Sequence, residues 1–168
     1  MPKVSLILGG AKSGKSKYAE DLTSNYGNRL YIATAEARDG EMKDRIKAHQ
    51  KQRGTTWQTI EEPLNIKGHL EAQHEPNSVI LVDCMTMWLS NLFEQNCNIE
   101  TETNLLLKAL PNCSADVILV SNELGLSIVP ENALARKFRD EQGILNQKLA
   151  KVANNVVFIA AGLPINLK

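Results

Sequence analysis

Lys15 and Ser16 put a cation and a hydroxyl side by side at the end of the run Gly9-Gly10-Ala11-Lys12-Ser13-Gly14-Lys15-Ser16. An apolar run, Val4-Ser5-Leu6-Ile7-Leu8, precedes it, and a helical pattern from Lys17 to Tyr26 follows. The spacing G-x-x-x-x-G-K-S between a strand and a helix is that of a phosphate-binding P-loop. Backbone N–H groups of such a loop wrap the β-phosphate, and the helix N-terminus adds partial positive charge. Lys15 is then expected to reach the β- and γ-phosphates, and the Ser16 hydroxyl to ligate Mg²⁺. The competing reading is a Gly-rich turn capped by Ser16; the flanking strand and helix favour the nucleotide site.

A P-loop needs a second acidic group for the metal and its waters. Val79-Ile80-Leu81-Val82-Asp83 supplies one at the C-terminal end of an apolar strand, where ligands bind in open α/β sheets. Asp83 is read either as that metal group or as the cap of a helix over Thr86–Phe93. His49 shares a helical face with Met42 and Ile46 and is followed by Arg53. By spacing alone it reads as a core or interface histidine more readily than as a catalyst. His69 and His74 fall in a polar stretch and are expected on solvated surface. Ser121-Asn122-Glu123 ends another strand, and the loop Leu124–Val129 after it is unusually apolar. Glu123 is a candidate substrate contact, or else part of a structural crossing that packs on a neighbouring element or subunit.

Positioning such groups takes a sheet. Short apolar runs at Lys3–Leu8, Leu30–Thr34, Val79–Asp83, Val117–Ser121 and Val156–Ala160 read as strands buried on both faces. A weaker strand is expected at Thr56–Ile60. The segments between them are long enough for crossover helices, which predicts an α/β fold with a mostly parallel sheet flanked by helices. The tail Gly162–Leu167 is placed to return as an antiparallel edge strand. Helices are expected over Asp39–Gln52 and over Glu131–Asn154. The second has Leu134, Phe138, Leu145, Leu149 and Val152 as its apolar stripe, and Gly143 marks close packing or a break. Glu94–Glu100 reads as a polar loop.

The 168 residues suffice for a single P-loop nucleotide-binding catalytic domain over 1–168. Lys+Arg and Asp+Glu both total 19, so no basic footprint points to nucleic acid or to a membrane surface. No apolar run reaches spanning length. Cys84, Cys97 and Cys113 have neither zinc nor disulfide spacing and suit free thiols in a cytoplasmic protein.

The chain as a whole resembles the bifunctional adenosylcobinamide kinase/adenosylcobinamide-phosphate guanylyltransferases. The resemblance starts in Leu8–Ser16 and continues in order through Tyr31-Ile32-Ala33-Thr34. It includes Glu41-Met42, Arg45-Ile46, His49, Arg53, Trp57 and Glu61-Glu62-Pro63, then Asp83-Cys84-Met85-Thr86 with Trp88–Leu92. It ends in Ser121-Asn122-Glu123, Val129-Pro130-Glu131-Asn132, the helix through Asn146-Gln147, and Ala161-Gly162-Leu163-Pro164. It implies a RecA-like P-loop NTPase fold that assembles as a homotrimer. The implied chemistry is phosphorylation of the aminopropanol hydroxyl of adenosylcobinamide by ATP or GTP. Transfer of GMP from GTP to adenosylcobinamide phosphate follows, through a phosphoramidate on the histidine matched by His49. The resemblance also implies nucleotide contacts at Thr34, Ala35 and Glu36, at Gln50, Lys51, Gln52 and Arg53, and at Glu62 and Asp83. Ala48 stands where some members carry a further histidine, and Asp83 where some carry a glutamate.

One P-loop suits both reactions: it holds the β- and γ-phosphates whether the γ-phosphate is attacked or pyrophosphate leaves. A monofunctional small-molecule kinase with a structural His49, and a nucleotide switch, are the competing readings. No arginine-rich lid is evident for the first, and a switch needs no nucleophile. Trp88, Phe93 and the Leu124–Val129 loop are candidates for subunit or corrinoid contact.

Overall fold

A computed structural model describes residues 1–36 and 56–168. Seven strands form one sheet: β1 (Val4–Gly9), β2 (Asn28–Ala33), β3 (Gln58–Glu61), β4 (Ser78–Asp83), β5 (Asp116–Asn122), β6 (Asn155–Ala160) and β7 (Leu163–Asn166). Their order is β3-β2-β4-β5-β1-β6-β7. All pairs are parallel except β6–β7, in which Ala160 faces Leu163 across a tight return. The expected mostly parallel sheet, its weaker strand and its antiparallel edge are all present. The helix expected over Asp39–Gln52, including His49, lies outside the described residues.

The consecutive apolar residues of the strands have a direct reason. Alternate side chains of each strand leave opposite faces of the sheet. Leu6, Leu8, Ile80, Val82, Val117 and Leu119 pack on one side, with α3 (Met85–Glu94), α4 (Ile99–Ala109) and α5 (Ala133–Val152). Ile7, Leu81, Ile118 and Val120 pack on the other, with Ala19 of α1 (Lys15–Asp21). Both faces are dry, so neither can alternate with polar residues.

Local sequence explains the helix ends. Asn65 caps α2 (Ile66–Glu71), Asn98 caps α4 and Asn132 caps α5, each accepting from a backbone N–H three residues on, at 2.9–3.1 Å. The helix expected from Lys17 to Tyr26 stops at Asp21. Thr23 is fully buried there, and its hydroxyl takes the Glu20 carbonyl at 2.6 Å. The polar loop expected over Glu94–Glu100 is shorter, because Asn98 starts a helix inside it.

Other expectations are corrected by packing. Leu145 and Leu149 of α5 are buried, but Leu134 is 65 % exposed and Val152 lies at the surface, so the stripe covers only the middle of the helix. At Gly143 α5 neither breaks nor packs closely; an added Cβ would meet nothing within 4 Å. His69 and His74 are half-buried rather than solvated. His74 Nε2 lies 2.8 Å from the His69 carbonyl, and His69 Nε2 lies 3.5 Å from Glu62. Trp88 is 2 % exposed, with its indole N–H given to the Leu64 carbonyl at 2.9 Å, so it belongs to the core and not to a contact surface. Phe93 is half-buried in an edge-to-face contact with Phe138.

Trp88 ties α3 to the segment that follows β3. Trp88→Ala is expected to lower unfolding free energy by about 3–5 kcal/mol, read as a fall in the urea midpoint.

Candidate active site

Gly9 ends β1 at the sheet's C-terminal edge, and the loop after it is folded tightly against its neighbours. A Cβ on Gly9 would come within 2.5 Å of Ser13 Oγ and 2.7 Å of the Ile159 carbonyl. The loop is held from β6 as well, by Gly162 N–H donating to the Ser13 carbonyl at 2.8 Å. Gly14 immediately precedes α1 with φ +97°, a conformation that other residues rarely adopt. The first amides of α1, at Lys15 and Ser16, have no acceptor within their own helix. Ser13 Oγ is buried without a hydrogen-bond partner among the described residues. A cradle of free donors and one orphaned hydroxyl is a surface shaped for an anion. Gly10, Ala11 and Lys12 form its outer lip, where Lys12 also takes positive φ.

Lys15 is buried, and its ammonium donates to the Gly10 carbonyl at 2.8 Å. Burial pushes its pKa below the usual lysine range, while nearby Cys84 and Asp83 oppose that shift. A cation bent back onto its own loop is free to exchange one acceptor for a phosphate oxygen.

Asp83 lies across β5 from the loop. Tyr31 Oη donates to its Oδ2 at 2.9 Å, and its Oδ1 has no donor among the described residues. Asp83 is therefore held on one side with a free oxygen on the other. Of its two readings, the helix cap is not seen: α3 begins after Cys84 with no side-chain cap. Cys84 is desolvated beside that carboxylate, and its thiol is pushed up to about 11, which keeps it neutral. Ser16 and Asp83 are the two groups here suited to Mg²⁺, an ion that takes one or two protein oxygens and completes its shell with phosphates and water. Among the described residues no cluster of three or more His, Cys, Asp or Glu could hold a metal without such help.

Thr34 is fully buried and committed. Its N–H donates to the Asp83 carbonyl at 3.2 Å, and its hydroxyl lies 2.7 Å from both the N–H and the carbonyl of Cys84. Its carbonyl accepts from Asn91 Nδ2 at 2.8 Å. Ala35 is half-buried and Glu36 exposed at the end of the described segment. The Glu62 carboxylate accepts the N–H groups of Leu64 and Asn65 at 3.0 and 2.8 Å. Burial raises its pKa, but those two donors and His69 outweigh burial and hold it below the usual carboxylate range. The N–H and hydroxyl of Thr34 thus join the ends of β2 and β4, while the Glu62 carboxylate closes the turn after β3. Gln50, Lys51, Gln52 and Arg53 lie, like His49, outside the described residues. Glu123 turns onto its own loop, accepting the Gly125 N–H at 2.8 Å.

A polar network to which the sequence reading gave no role stands behind the site. Ser121 Oγ, Gln142 and Asn146 form a buried network with contacts of 2.7–3.0 Å. Gln142 and Asn146 are four apart on α5, a spacing that puts both on one helix face. Two amides on the inward face of a helix are the signal that could have found them.

Solved structures show the same architecture. An ATPase from the type III secretion system of pathogenic bacteria superposes with TM-score 0.59 at 12 % identity, covering 98 % of this chain and 56 % of that one. The fold is that of the P-loop NTPases, RecA-like in having β5 inserted between the P-loop strand and the strand that carries Asp83. Two curated relatives match nearly end to end. The bifunctional adenosylcobalamin biosynthesis protein CobP of Pseudomonas aeruginosa is 45 % identical over 166 residues, 97 % of this chain and 96 % of that protein. The bifunctional adenosylcobalamin biosynthesis protein CobU of Escherichia coli is 38 % identical over 180 aligned residues, 97 % and 98 % of the two chains. Residues 5–167 match the family model described as cobinamide kinase / cobinamide phosphate guanyltransferase, and the chain belongs to that family.

Proposed function

We propose that one nucleotide site, built on the Gly9–Ser16 loop, serves both reactions of the family in this single 1–168 domain, with His49 carrying GMP from GTP to adenosylcobinamide phosphate in the second. The observation behind this reading is the loop itself: buried Lys15, free helix-opening amides and the orphaned Ser13 hydroxyl provide for a polyphosphate and for little else.

In the kinase reaction the substrate hydroxyl oxygen bonds to the γ-phosphorus while the bond to the β-bridging oxygen breaks. Nucleoside diphosphate leaves, and the hydroxyl proton passes to water. Lys15 and the loop amides take up the charge that gathers on the leaving phosphates. In the transferase reaction a neutral imidazole nitrogen of His49 bonds to the α-phosphorus of GTP, and pyrophosphate leaves into the same cradle. The phosphate oxygen of adenosylcobinamide phosphate then bonds to that phosphorus, the P–N bond breaks, and the imidazole is restored. Two displacements at one phosphorus replace direct attack of one anionic phosphate on another. Mg²⁺, held by Ser16 and Asp83, would neutralise phosphate charge in both reactions. Gln50, Lys51, Gln52 and Arg53, next to His49, and Ala35 and Glu36, past β2, are proposed to contact the nucleotide. Thr34 and Glu62 are proposed as further nucleotide contacts.

Assembly is proposed to be trimeric. Leu126, Ile128 and Val129 on the loop after β5 are 81, 92 and 63 % exposed, and Leu134 continues the apolar patch onto α5. Such a patch suits a subunit or corrinoid contact. No helix among the described residues is long and apolar enough to cross a membrane. The three cysteines are free thiols, which suits a cytoplasmic site of action.

Incubation with Mg²⁺ and GTP labelled at the α-phosphate is expected to leave acid-labile, base-stable label on the protein. His49→Ala should remove it; label on the variant, or none on the wild type, contradicts the histidine carrier. Lys15→Ala should abolish both phosphorylation and GMP transfer, and survival of either breaks the shared site. Ile128→Asp is expected to lower the mass seen by light scattering from trimer to monomer.

A further inference from the structure

Asn122 ends β5, the strand inserted between the P-loop strand and the strand bearing Asp83. Its Cα pairs in register with Gly9, and Asp83 pairs with Val120, two residues back along the same strand. Alternation puts Ile118, Val120 and then Asn122 on the α1 side of the sheet. Leu81 and then Asp83 take the same side, as the Tyr31–Asp83 hydrogen bond requires. Asn122 thus stands between the lysine-bearing loop and Asp83, on their side and at their edge.

Its backbone is pinned from three directions. Its N–H donates to Thr86 Oγ1 at 2.9 Å, and its carbonyl accepts from Asn146 Nδ2 at 3.0 Å. The next amide, Glu123 N–H, donates to the Gly9 carbonyl at 3.0 Å. Asn146 is itself oriented by Ser121 and Gln142, all three buried behind the sheet. Such a network is costly to bury and valuable where one residue must be held still. Yet the half-buried Asn122 side chain makes no hydrogen bond to any described residue. Thr86 and Asn146 fix its backbone, and among the described residues its amide is left unused at the sheet edge that carries the Gly9–Ser16 loop.

Resting on the nucleotide-site reading above, we propose that the Asn122 side-chain amide donates to an oxygen of the γ-phosphoryl group and is a catalytic residue of the kinase step. Negative charge on the equatorial oxygens redistributes as that group transfers, and a fixed donor there stabilises the change. In GMP transfer the γ-phosphate only departs with the leaving group. The contact is then nearly the same in ground and transition states and contributes little to rate.

Asn122→Ala and Asn122→Asp test this, the second because it keeps size and shape but removes the donor. Both are expected to fold with an unchanged melting temperature, since the side chain has no hydrogen-bond partner among the described residues. The kcat for GTP-dependent phosphorylation should fall roughly 100-fold in both variants, with a much smaller change in KM for GTP. Protein labelling from α-labelled GTP should fall far less. Wild-type kinase kcat in either variant overturns the assignment, and so does an equal loss in both reactions. Loss of both activities in Lys15→Ala alongside such a result shows that the nucleotide site stands and only the role of Asn122 has failed; activity retained in Lys15→Ala means that the site reading itself has failed.

Discussion

The closeness of Gly9 to Ser13 and to the Ile159 carbonyl is the constraint on which the active edge rests. Because no side chain fits there, β1 can run straight into a loop that curls back over its own end. The loop is then wedged between β1 and the turn after β6, where Gly162 holds the Ser13 carbonyl. The free amides and the Ser13 hydroxyl keep their direction without help from a bound anion. A binding surface organised in advance loses little to ordering when a polyphosphate arrives.

The order of strands converts that loop into a reaction centre. β5 separates β1 from β4, so Lys15 and Asp83 face one another across a strand rather than across a single ladder. That leaves room between them for a phosphate chain, and it makes the end of β5 the floor beneath it. The polar network of Ser121, Gln142 and Asn146 is buried at this one strand end. A hydrophobic replacement could pack as well, but it could not fix the direction of the Asn122 backbone. Behind β2 and β4, Thr34 does similar work by bonding both backbone groups of Cys84, which keeps Asp83 in register with the loop.

Much of this was legible in the chain. The P-loop spacing, the apolar strands ending in Asp83 and Ser121, and the return of the tail are local signals, and each appears as read. The misreadings have tertiary causes. Trp88 looked available for a partner because an aromatic residue on a short helix carries no mark of what covers it; here Leu64 and the core do. Leu134 belonged by period to the buried stripe of α5, but it stands in the first turn of the helix, where it is exposed. Asn122 was named at its strand end but given no role beside Glu123, because the charge of a carboxylate draws attention that a neutral amide does not.

Two reactions at different phosphorus atoms of GTP have one loop in common if the β- and γ-phosphates stay in place while either the hydroxyl or His49 approaches. Inhibition by GDP measures this most directly, with GTP as donor in both assays. GDP occupies the loop but offers no γ-phosphate, so the same inhibition constant is expected for phosphorylation and for GMP transfer. GMP transfer that continues at GDP concentrations sufficient to stop phosphorylation would contradict a single shared site.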